Sequence, residues 1–86
     1  MHDTPPVTPD SIRRSLVDGL ACEHVKVRGD GHHFEAVIVS AQFAGLSRVK
    51  QHQLVYAALG DRMRQEIHAL SMQTLTPEQW AESRRG

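Results

Sequence analysis

The run Phe34-Glu35-Ala36-Val37-Ile38-Val39-Ser40 limits the fold more than any other stretch of this chain. It is short, rich in β-branched residues and apolar on both sides, which reads as a strand in a central position. Upstream, Val25-Lys26-Val27-Arg28 alternates apolar with charged, the pattern of a strand with one buried face. Gly29-Asp30-Gly31 lies between them, and its Asp-Gly pair suits the positive backbone angles of a tight hairpin. The hairpin tip presents His32 beside His33. Neighbours on a strand alternate faces, so only one of the two can point to a given side.

Helices account for the rest of the pattern. Thr8-Pro9-Asp10 carries a capping hydroxyl, a proline for the first helical position and an acid in the first turn. Ile12, Leu16 and Leu20 follow on one stripe, and Gly19 weakens the last turn, so this helix should end near Leu20. Ser47 is placed to cap the longest helix. At 100° per residue its apolar side collects Val49, His52, Val55, Tyr56, Leu59 and Met63, with Lys50 and Gln53 outside. Gly60-Asp61 should break that helix in two before His68. Ala69 to Leu75 reads as a third strand. Thr76-Pro77-Glu78-Gln79 starts a last helix, with Gln79 positioned to complete a capping box and Trp80 expected to pack on the core. The second and third strands are joined through helices, a crossover expected to be right-handed. The expectation is an α+β fold of order α-β-β-α-α-β-α, a mixed three-stranded sheet with helices packed on one face. Residues 1–8 read as a flexible tail and 9–84 as a single domain.

Composition removes several function classes. With 40% hydrophobic and 23% charged residues the chain is an ordinary globule. No apolar run approaches the roughly 20 residues of a membrane span, and Met1–Pro6 lacks the pattern of a signal peptide. The expected location is cytoplasmic. Formal net charge is +0, which disfavours nonspecific attraction to nucleic acid, but the charge is uneven. Between residues 47 and 64, Arg48, Lys50, Arg62 and Arg64 face Asp61 alone, a balance of 4 − 1 = +3. That stretch is either a solvated helix face or a surface for an acidic partner or phosphate backbone. Cys22 is the only cysteine, so no internal disulfide forms and a four-cysteine metal site is excluded.

Catalytic patterns are missing. The chain has no nucleophile elbow, no H-E-x-x-H, no phosphate-binding glycine loop and no cysteine pair, so it is not expected to be an enzyme. Histidine is the chemistry-bearing residue: six in 86, with His24, His32, His33 and His68 near predicted strand ends. His68 sits at the joint between a helix end and the third strand, where a ligand at the lip of a site would stand. Imidazole nitrogens bind iron, and two of them replace two thiolates on one iron of some [2Fe–2S] centres. This chain has too few thiolates to hold such a cluster alone, so a site shared with a partner is the chemically sensible arrangement. A zinc site from His24, His32 and His33 fits no zinc signature in its spacing. His52 reads as a core histidine and Cys22 as a half-buried small hydrophobe.

Two blocks carry a family resemblance: Phe43-Ala44-Gly45-Leu46-Ser47-Arg48-Val49-Lys50-Gln51-His52-Gln53-Leu54-Val55-Tyr56 and the segment from Glu66 to Trp80 around His68. In that order they resemble the BolA family, and within it the short IbaG-like members, over about residues 9–84. The resemblance implies a fold related to the type II KH domain. It also implies pairing with a monothiol glutaredoxin as a heterodimer, around a [2Fe–2S] cluster whose other ligands are the glutaredoxin cysteine and a glutathione thiol. An apo homodimer is a further pairing it allows. Carried over by position, His68 is the C-terminal histidine ligand. The second ligand comes from the loop between the first two strands, where His33 ranks ahead of His32 and Asp30 comes third. BolA relatives are also described as transcriptional regulators, which makes DNA binding through Arg48, Lys50, Arg62 and Arg64 the alternative. Against it, no two glycines are spaced as in the G-x-x-G backbone clamp of KH domains, and aromatic residues for base stacking are few.

Overall fold

The computed structural model describes residues 7–30, 33–66 and 69–84; the side chains of 61–66 and of 69 fall outside that description. Its elements run α1 (Pro9–Gly19), β1 (His24–Gly29), β2 (His33–Val39), a 3₁₀ turn (Ala41–Phe43), α2 (Arg48–Glu66), β3 (Ala69–Leu75) and α3 (Pro77–Ser83). β2 is the central strand, antiparallel to β1 and parallel to β3. This is the expected α+β fold with its mixed three-stranded sheet.

Local chemistry sets the helix starts. Thr8 accepts from Ser11 N–H while its own N–H donates to the Ser11 hydroxyl, and Thr76 with Gln79 repeats that reciprocal box on α3. Ser47 Oγ accepts from Lys50 N–H at the start of α2. The domain begins earlier than the sequence suggests: Val7 packs on the core and Thr8 caps α1, so neither belongs to a tail. Gly60, at φ +82° and ψ 161°, kinks α2 where a break was expected.

Alternation assigns the sheet faces. Phe34, Ala36 and Ile38 point to one side, where they meet Ile12, Leu16 and Leu20 of α1 and Val55 and Leu59 of α2. Each of these side chains except Ala36 contributes roughly 1.5–3 kcal/mol on burial, so this layer supplies most of the driving force. His24, Lys26, Arg28, His33, Glu35, Ser71 and Gln73 lie on the opposite face by the same alternation.

Three expectations need correction. Val49 and Tyr56 do not join the buried side of α2: Val49 is 66% and Tyr56 36% exposed. The helix is rolled so that Val55, Ala58 and Leu59 meet the core, because α1 approaches closely at Gly19 opposite Ala58. His52 is consequently only half-buried and lines a groove rather than the core. Trp80 does not enter the core either. Its ring stacks on His24 with centroids 4.7 Å apart, and the Arg84 guanidinium lies 4.7 Å from the same ring. His24 belongs to the face away from α1 and α2, so α3 reaches round to that side. Among the described residues no helix is long and apolar enough to cross a membrane.

Candidate functional site

β2 begins at His33 and β3 at Ala69, and the parallel ladder sets these two residues opposite each other. His33 is exposed, but its backbone is pinned. Its N–H donates to Asp30 Oδ1 at 2.9 Å, and its carbonyl accepts from Asp30 N–H at 3.2 Å. Asp30 and His33 are thus bonded to each other at the end of the β1–β2 ladder. That use of the Asp30 carboxylate marks it as the clasp of the hairpin, which explains its place better than a ligand role. Arg28 and Glu35 flank the histidine on the same face with an exposed ion pair at 2.9 Å, worth under about 1 kcal/mol. These residues with Gly29 line a shallow depression of about 490 Å³.

His68 and His32 lie outside the described residues. In the sequence His68 directly precedes Ala69, the register partner of His33. His24 is on the wrong end of the sheet for any joint site: β1 runs antiparallel, His24 pairs with Val39, and its ring is occupied by Trp80. A zinc site of His24, His32 and His33 is thereby ruled out.

Among the described residues no three of His, Cys, Asp and Glu converge on a common point. Cys22 is half-buried with Sγ 3.8 Å from the Leu16 carbonyl, and burial pushes its thiol above the ordinary range, away from the thiolate a metal requires. What the chain offers is imidazole.

Within the basic stretch, Arg48 and Lys50 do not share one surface. Arg48 and Lys50 are two residues apart on α2, about 200° around the axis. Arg48 faces a groove beside β3, whereas Lys50 lines a separate hollow with Leu46, Gln53 and Leu54. The side chains of Arg62 and Arg64 fall outside the described residues. Sequence reasoning missed two polar features. Gln51 donates from Nε2 to the Phe43 and Leu46 carbonyls and accepts from the Thr74 hydroxyl. Ser40, fully buried, donates to the Ala21 carbonyl at 2.6 Å and accepts from Gln42 N–H. No local pattern announces either.

The family model described as BolA-like protein matches residues 17–79. The chain is 39% identical over 77 residues to the acid stress protein IbaG of Escherichia coli K12, covering 88% of this chain and 92% of that protein. It is 42% identical over 57 residues to the DNA-binding transcriptional regulator BolA of Haemophilus influenzae, covering 66% and 55% respectively. Among solved structures, a Bol-like protein from Babesia bovis superposes with a TM-score of 0.81 at 30% identity, over 96% of this chain and 100% of that one. A BolA homologue from Coxiella burnetii gives 0.73 at 42% identity, over 87% and 97%. The curated relatives are named as a stress protein and a regulator, not by an enzymatic activity. With the fold, the pairing of the two strand starts and these matches together, the chain belongs to the BolA family and is IbaG-like.

Proposed function

We propose that this chain is an adaptor that joins a monothiol glutaredoxin around a shared [2Fe–2S] cluster, in iron–sulfur trafficking or iron and redox signalling. The observation that carries the reading is the register of His33 with Ala69, next to His68, at one open end of the sheet. His68 and His33 are the ligands this chain contributes, with His32 as the substitute for His33. The partner's cysteine and a glutathione thiol complete the set. When bound, the cluster supplies redox-active, transferable iron; the chain's own part is to hold two imidazoles in place. Asp30 does this for His33 by fixing its backbone, and the parallel ladder does it for the start of β3.

The test mixes the full chain with a monothiol glutaredoxin, glutathione, iron and sulfide, and records native mass and visible absorbance. A coloured heterodimer whose spectrum changes in His68→Ala supports the reading. Absence of any complex sinks it.

A second reading, a DNA-binding regulator, is favoured by the Haemophilus influenzae relative of that name and by the exposed Arg48 and Lys50. DNA affinity would fall steeply with salt and survive His68→Ala, which separates the two.

A further inference from the structure

Four consecutive residues of β3, Met72 to Leu75, line a groove of about 480 Å³ with Arg48, Gln51 and His52 of α2 and Gln79 of α3. Successive strand residues face opposite sides of a sheet. A groove touching all four therefore runs along the strand's edge. β3 is the last strand in the order, so among the described residues no neighbouring strand covers this edge.

The main-chain groups on that edge can be identified. The Leu75 carbonyl accepts from Ser40 N–H at 3.0 Å, so Leu75 turns its backbone toward β2. Alternate residues turn the other way, and Met72 and Thr74 thus direct N–H and C=O outward into the groove. The facing wall carries a fixed positive charge, Arg48, with the His52 imidazole beside it. Arg48 and His52 are one helical turn apart, neither joins an ion pair with a described residue, and among the described residues no carboxylate lines the groove. The Thr74 hydroxyl donates to Gln51 Oε1 at 2.6 Å, which holds helix and strand at a fixed separation.

We infer that this groove docks an extended acidic segment of a partner protein, which adds as a fourth strand to β3 and sets its carboxylates against Arg48 and His52. Bonds to Met72 and Thr74 supply the strand pairing, and the Arg48 guanidinium, with the His52 ring as a further polar contact, selects for acidic residues on the side facing α2. Strand-spaced donors and acceptors match a peptide backbone and not a sugar-phosphate one. The groove is separate from the His33 end of the sheet, since Thr74 stands roughly 16 Å along the strand from Ala69. The inference does not depend on cluster sharing.

The experiment titrates the ¹⁵N-labelled full chain with a blocked seven-residue peptide of alternating glutamate and valine. Two further peptides carry N-methyl groups on one or the other alternate set of amides. The expected result is amide shifts centred on Met72 and Thr74, with binding abolished by one methylation pattern and kept by the other. Arg48→Gln should weaken the peptide about five-fold with an unchanged urea midpoint. Equal binding of both methylated peptides, shifts centred on β1, or no effect of Arg48→Gln would each overturn the proposal. So would a single-stranded oligonucleotide that moves the same amides while the peptide does not.

Discussion

Replacing Gln51 with leucine removes three hydrogen bonds that tie α2 to two other parts of the fold. Both hydrogens of its Nε2 are used, at 3.1 Å to the Phe43 carbonyl and 3.1 Å to the Leu46 carbonyl, and its Oε1 accepts from Thr74 Oγ1 at 2.6 Å. A net hydrogen bond is worth roughly 0.5–1.5 kcal/mol, so three sum to about 1.5–4.5 kcal/mol. Gln51 and Thr74 are half-buried, and water replaces part of the loss, which places the expected cost near 2 kcal/mol, toward the low end. For a domain of this size that is a fall in melting temperature of about 8–16 °C, or about 1.5 M in urea midpoint at a slope near 1.3 kcal/mol/M. Urea unfolding followed by far-ultraviolet circular dichroism measures it. The Thr74 bond can be isolated with a cycle of Gln51→Leu, Thr74→Val and the double variant, for which a coupling of about 1 kcal/mol is expected. A midpoint unchanged for Gln51→Leu, or strictly additive variants, would refute the claim that this side chain fastens helix to strand.

Three further outcomes follow from the same structure. Gly19→Ala should destabilise the protein although alanine is the better helix former by about 1 kcal/mol, because its Cβ would lie 2.9 Å from Ala58 Cα and Cβ; a raised melting temperature would show that α1 and α2 separate freely. Alkylation of Cys22 by iodoacetamide at neutral pH should be slower in the native protein than in urea, since burial raises its thiol. Because folding favours that thiol protonated, its contribution to stability is intact below the ordinary thiol range and declines as pH rises through it; a native rate equal to the unfolded one contradicts this. In the glutaredoxin complex, histidine ligation should make the cluster absorbance fade as pH falls from about 8 toward about 6, as imidazole takes up protons, and an unchanged signal counts against histidine ligands.

What was legible in the sequence was local. The caps at Thr8 and Ser47 and the box at Thr76 depend on residues at most three apart, and they formed as read; the return bond from Thr8 N–H to Ser11 was not read. The bounds of β3 and the kink at Gly60 also came from short signals. The roll of α2 was not legible, because it is set by the close approach of Gly19 to Ala58, far apart in the chain. Periodicity alone put Val49 and Tyr56 inside. Trp80 found His24, a partner that no neighbouring residue specifies. At the candidate site, histidine at the start of β2 was readable from the hairpin. The use of Asp30 as its clasp was not, since it depends on which pair closes the loop.

The measurement that tests cluster sharing most directly is pulsed electron paramagnetic resonance of the reduced glutaredoxin complex. The chain would be prepared with ¹⁵N-histidine and compared as wild type, His33→Ala and His68→Ala. Cluster ligation by this chain predicts strong ¹⁵N couplings in the wild type, with one coupling lost in His68→Ala and another in His33→Ala. Couplings unchanged in both variants, or absent from the wild type, would contradict it.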